Sequence, residues 1–118
     1  MGASSSAFVE FVQEQLAGLG SLACGRFFGG VALKSEGIMF AMIMDGALYF
    51  AVDERLRNHY RGLGSRCFSY DTKKGRVEVS RFFEVPADWV EDAEQLTRAA
   101  RESLAAAVST TAARKRRR

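Results

Sequence analysis

The chain is 118 residues long, room for one domain of common size. With 47% hydrophobic and 26% charged residues it has the balance of a globular protein, not of a disordered or fibrous one. The formal charge of +3 misleads until it is located: five of the 17 basic residues form the run Arg114-Lys115-Arg116-Arg117-Arg118, leaving 12 against 14 acidic ones. The body is therefore weakly acidic, which argues against a nucleic-acid surface spread over the fold itself.

The two cysteines, Cys24 and Cys67, lie far apart in sequence, and His59 is the single histidine. That excludes a zinc set, and nothing in the spacing implies a disulfide. Both cysteines read as reduced, buried thiols acting as small hydrophobes. The start, Met1-Gly2-Ala3-Ser4-Ser5-Ser6, has no signal-peptide character, although it fits the minimal and common pattern for myristoylation at Gly2. The longest apolar run, Ile38 to Met44, is seven residues, against about 20 for a bilayer span. A cytoplasmic protein with no membrane partner is expected.

In chain order, a helix is expected from about Ser5 to Ala17, with Phe8, Phe11, Val12, Gln15 and Leu16 on one side. Three strand-like runs follow. Cys24 to Lys34 is read as one strand, broken at Ser35-Glu36-Gly37; within it Gly29-Gly30 marks a bulge or a close approach by another segment. Ile38–Met44 and Ala47–Val52 flank Asp45-Gly46, the strongest short-range hairpin signal in the chain. The unbroken apolarity of Ile38–Met44 fits a strand covered on both faces, or an apolar face awaiting a partner.

Asp53 is placed to cap a short helix ending near Leu63, with Leu56, Tyr60 and Leu63 inward and Arg55, Arg57 and Arg61 outward. A second hairpin runs from Cys67 through Asp71–Gly75 to Val85, with Val77, Val79 and Phe83 on one face. Pro86 ends it. A final helix carries Ala93, Leu96, Ala100, Leu104 and Ala107 as its stripe, capped by Asp88 with Glu91, or by Asp92. From Ser109 onward the small, polar and basic composition reads as a disordered tail, so residues 1–108 form the domain and 109–118 the tail.

No catalytic set emerges. His59 has no nucleophile signalled beside it. Gly25, Gly29 and Gly30 fit neither a phosphate loop nor a dinucleotide turn. The carboxylate pairs Asp53-Glu54 and Glu91-Asp92 fall at helix starts, where the helix dipole accounts for them. Between Arg55 and Arg81, eight basic residues are interleaved with Tyr60, Phe68 and Tyr70. That pattern suits single-stranded nucleic acid, but acidic neighbours dilute it and a solvated face explains it better. The run Arg114, Lys115, Arg116, Arg117 and Arg118 is a candidate for salt-sensitive phosphate contacts without sequence specificity.

In order, these pieces resemble the N-terminal domain of the TfoX/Sxy competence regulators. The pieces are Phe8-Val9-Glu10-Phe11-Val12 with Gln15-Leu16, Arg26-Phe27-Phe28-Gly29-Gly30, Gly37-Ile38-Met39-Phe40-Ala41, and Asp45-Gly46-x-Leu48-Tyr49 with Val52-Asp53. Gly64-Ser65, Phe68-Ser69-Tyr70 and Phe83-Glu84-Val85-Pro86 complete them. Phe27 stands where the family usually has methionine, and the match runs from about Phe8 to Leu104. The resemblance implies an α+β fold of two layers, with helices on a five-stranded antiparallel sheet in the order α-β-β-β-α-β-β-α. It also implies no enzymatic activity and no cofactor, and makes Arg26, Phe28, Gly29, Gly30, Asp45 and Gly46 signature residues with structural roles.

Full-length relatives are positive regulators of competence genes that work with the cyclic-AMP receptor protein at promoters, and they carry a second, helical C-terminal domain. Here the matching region is followed by a short basic tail. A non-enzymatic regulatory domain working through a protein partner, such as the transcription machinery or a second copy, is the expected function. Association with nucleic acid through the tail and the Arg55–Arg81 stretch is the alternative.

Overall fold

A computed structural model describes residues 6–116, with side chains described through residue 110. Helix α1 (Ser6–Gln15) and a 3-10 turn (Ala17–Leu19) precede four strands, β1 (Ala23–Phe27), β2 (Gly30–Ser35), β3 (Ile38–Met44) and β4 (Ala47–Ala51). Helix α2 (Glu54–Gly62), strands β5 (Cys67–Thr72) and β6 (Gly75–Glu84), and helices α3 (Ala87–Val90) and α4 (Ala93–Arg116) complete the chain. All strand pairs are antiparallel, and the six-stranded sheet is ordered β1-β2-β3-β4-β6-β5.

Three consecutive two-residue turns build the first four strands: Phe28-Gly29, Glu36-Gly37 and Asp45-Gly46, with φ of 48° and 83°, 50° and 81°, and 52° and 78°. Positive φ at both central residues is the type I′ signature, whose twist matches that of the strands it joins. The fold class is α+β as expected, but the sheet has six strands, not five. The expected single strand from Cys24 to Lys34 is two, because Phe28-Gly29 is a turn instead of a bulge. The real bulge lies between Leu33 and Lys34, where Leu33 faces Ala41 and Lys34 faces Met39.

The helices lie on one face of the sheet. Val12 of α1, Leu16 just past its end, and Leu96 and Ala100 of α4 pack on Leu33, Phe40, Ile43, Leu48 and Phe50, all buried. The Gln15 side-chain amide donates to the Val90 carbonyl at 2.9 Å, and the Thr97 hydroxyl donates to the Gln15 carbonyl at 3.1 Å, which ties α1 to α3 and α4. A second cluster joins Leu56 and Tyr60 of α2 to Val52, Phe83 and Ala106. On the opposite face Met42, Met44, Ala51 and Phe82 are buried, with Phe27, Met39, Tyr49, Phe68 and Val79 packed against them. Strand β3 is therefore covered on both faces by this chain, which resolves the two readings of its apolar run.

Helix ends follow the sequence signals closely. The Leu56 amide donates to Asp53 Oδ1 at 2.9 Å, and the Gln95 amide to Asp92 Oδ1 at 3.1 Å, so Asp92 caps α4 while Asp88 belongs to α3. Asp53→Ala is expected to lower stability by about 1 kcal/mol, read as a shift of the urea midpoint at unchanged slope. Leu63, expected inside, is 49% exposed, because it lies just past the end of α2. The backbone of 109–116 continues α4 where an unordered tail was expected. Alanines and basic residues favour helix there, and positive charge suits a helix C-terminus. Arg117 and Arg118, like Gly2, lie outside the described residues.

Tyr60 is enclosed by Trp89 and Phe83, with ring centroids at 5.7 and 6.4 Å. Burial, and secondarily the Glu102 carboxylate, push its phenol well above the ordinary value. The fold thus favours the protonated phenol. Its contribution is complete below the unfolded value of about 10 and is lost as pH rises through the higher folded value. Urea midpoints are expected to hold to about pH 9 and then fall, less steeply in Tyr60→Phe.

Candidate functional site

Strand β5 ends its regular pairing abruptly. Cys67 faces Phe83, whereas Phe68 faces Val79, so residues 80–82 of β6 are extra. An offset of this kind bends a strand and increases its twist. It also reverses the facing of later residues, so Phe82 instead of Phe83 joins Val79 on the outer face, contrary to the alternation expected from sequence. The β5–β6 hairpin curls over that face until the two edges of the sheet, β1 and β5, share one cavity of about 310 Å³.

Phe27, Phe28, Met44, Phe68 and Tyr70 line this cavity, and none of them carries a charge. Phe68 meets Tyr49 edge-on at 5.3 Å and lies 6.1 Å from Tyr70. Tyr70 is 47% exposed, and Val77, directly opposite it in the hairpin, is also exposed. Burial first, then the Glu84 and Asp45 carboxylates and Cys67, push the Tyr49 phenol upward, so it remains a neutral hydrogen-bonding group.

Phe28 stands at the mouth with its side chain 84% exposed and its backbone at φ 48°. Asparagine, aspartate and glycine tolerate that left-handed conformation; for a bulky residue it costs about 1–2 kcal/mol. The ring is held edge-on against Phe27, at 4.7 Å and 75°. An aromatic ring turned largely to water on a strained turn adds little to the stability of a lone chain beyond its contact with Phe27. Phe28→Gly is accordingly expected to raise stability by about 1 kcal/mol, measured by urea denaturation.

The other signature residues meet backbone requirements. Gly29 completes the Phe28 turn and Asp45-Gly46 forms another. A Cβ on Gly30 would overlap the Ile43 carbonyl oxygen and Met44 Sδ, so the close approach expected at Gly29-Gly30 occurs at Gly30. Arg26 lies exposed on the edge strand β1.

The remaining candidates are not brought together. His59 is exposed and adjoins the rings of Tyr60 and Trp89, at 6.1 and 6.5 Å. Both thiols are free, but Cys24 is exposed on β1 and Cys67 half-buried, correcting the expectation of two buried thiols; an edge strand leaves one side uncovered. Local desolvation raises the Cys24 thiol, which reduces its thiolate and hence its nucleophilicity. Among the described residues no group of three or more His, Cys, Asp or Glu is placed to hold a metal, and no helix is long and apolar enough to cross a membrane.

The basic residues from Arg55 to Arg81 are distributed over α2, the segment before β5, the β5–β6 turn and β6. Several have local tasks. Arg57 Nε donates to the Ser80 carbonyl at 3.0 Å, Arg61 lies 5.8 Å from the Phe83 ring centre, and Arg76 pairs with Asp71 at 3.2 Å. The backbone of Arg114, Lys115 and Arg116 is helical, while their side chains are outside the described set.

The cleft was missed in the sequence because Phe68 and Tyr70 read as aromatic residues interleaved with basic ones, and Phe28 as part of a strand. The available signal was the aromatic residue before Gly29, at a position where a turn demands positive φ.

A search of the curated proteins finds no match. A family model described as the TfoX N-terminal domain matches residues 14–107, which takes in all six strands, α2, α3 and most of α4. The chain belongs to the TfoX N-terminal domain family.

Proposed function

We propose that this chain is a non-enzymatic regulatory domain that acts by binding protein, with the aromatic cleft and the Phe28 tip as its contact surface. The observation that carries this reading is Phe28: a fully presented ring on a strained turn, beside an uncharged aromatic hollow. Rigid aromatic groups of this kind are the usual anchors of protein interfaces, because little side-chain freedom is lost when they dock. Family membership supports a place in competence or transcription control.

A photo-crosslinking amino acid at position 28 in living cells tests the reading. Discrete protein adducts, diminished by Tyr70→Arg on the opposite wall of the cleft, are expected. Adducts confined to nucleic acid, dependent on Arg114–Arg118, would move the function to the alternative reading. Absence of any adduct from a chain that remains folded would refute both.

A further inference from the structure

The hollow and the ring beside it suggest one occupant in particular. We infer that the cleft is the contact between two copies of this chain, each placing its Phe28 ring in the cavity of the other. This rests on the protein-binding reading and names the partner.

A two-fold interface requires one patch that is complementary to itself. This patch qualifies because Phe28 walls one side of the cavity and also projects from its mouth, so a two-fold rotation brings each ring to the mouth of the other cavity. The cavity, about 310 Å³, is at the floor of the range of about 300–1,000 Å³ seen for small-molecule sites. It suits a large side chain better than a cofactor. Its lining is uncharged, so two identical patches meet without like-charge repulsion. Phe28, Tyr70 and Val77 are three of the large exposed hydrophobic side chains of this protein, and they would form the dry centre of the interface. The turn and the Phe27 contact fix the Phe28 ring in advance, which lowers the ordering cost of docking.

Sedimentation velocity of the full chain, from low micromolar to near-millimolar concentration, tests this. The wild type is expected to pass from 13.0 kDa toward twice that mass. Phe28→Gly should remain at the monomer mass over the same range, with an unchanged or higher thermal midpoint because glycine accepts the left-handed turn. Tyr70→Arg, which blocks the cavity and keeps the ring, should weaken association at least about tenfold. Mixing the two variants restores one of the two contacts, so the mixture should associate more strongly than either variant alone.

A wild type that stays monomeric throughout overturns the inference, as does a Phe28→Gly chain that associates like the wild type. Crosslinks from position 28 to other proteins alone, with a monomeric wild type, would sink self-association and leave the protein-binding reading standing.

Discussion

Gly30→Ala is expected to lower stability by about 3 kcal/mol, the upper end of what overpacking commonly costs. Gly30 is the first residue of β2, paired with Phe27 across the turn. A methyl group there would overlap the carbonyl oxygen of Ile43 and the sulfur of Met44. The thioether can swing aside, but the carbonyl belongs to the neighbouring strand, where Val31 faces Ile43. Relief therefore requires β2 and β3 to separate at this end of their ladder.

Gly29→Ala provides the contrast. Nothing lies within 4 Å of a Cβ at Gly29, but its φ of 83° is left-handed, so the cost is backbone strain of about 1–2 kcal/mol. The two variants differ by one position and by mechanism. Urea denaturation that ranked Gly29→Ala as the more damaging would overturn the account of Gly30.

Phe50→Ala is expected to cost about 3–5 kcal/mol, a large share of the roughly 5–15 kcal/mol by which a domain of this kind is stable. Phe50 is fully buried on β4, opposite Ala41 on one side and Phe83 on the other. Its ring lies 6.1 Å from that of Phe40, in the layer where the helices meet the sheet. Hydrogen-bonded strands flank it on both sides, so the surroundings can close only partly around the space it leaves. Leu63→Ala, an equally apolar truncation at an exposed position, should stay within about 0.5 kcal/mol of wild type. A Phe50→Ala loss of comparable size would contradict this placement of the core.

Local signals carried most of the fold. Asp45-Gly46 between apolar runs, Asp53 before Leu56, and Pro86 after Glu84 each pointed to a turn, cap or strand end because the relevant chemistry sits within a few residues. The resemblance to the TfoX N-terminal domain was carried the same way, by short pieces in a fixed order. Phe28-Gly29 escaped notice because its first residue is among the least suited to the conformation it adopts. Propensity points away from a turn wherever another requirement has overridden it.

The cleft was less legible still. It depends on the offset between Cys67 and Phe68, a property of two strands together that neither displays alone. Period-2 alternation, followed through that offset, placed Phe83 on the wrong face. Exposure on an edge strand likewise depends on strand order, which is why Cys24 was expected inside. The basic run at Arg114–Arg118 is obvious in sequence, yet composition alone did not distinguish the helical backbone of Arg114–Arg116 from an unordered one.

The three successive two-residue turns also bear on how the chain acquires its shape. Among strands β1 to β4 every ladder joins consecutive strands, so each closes a very short loop and loses little chain entropy in doing so. Strand β6 is different: it must return across α2 and β5 to lie beside β4, with Glu84 opposite Tyr49 and Phe82 opposite Ala51. Docking of β6 is thus the step that local sequence does least to prepare. In a kinetic study, truncations at Phe82 or Phe83 should slow refolding in proportion to the stability they remove, and changes at the Glu36-Gly37 turn, formed before that step, should slow it likewise. The four-stranded meander is then a template available early, and the inserted strand sets the pace.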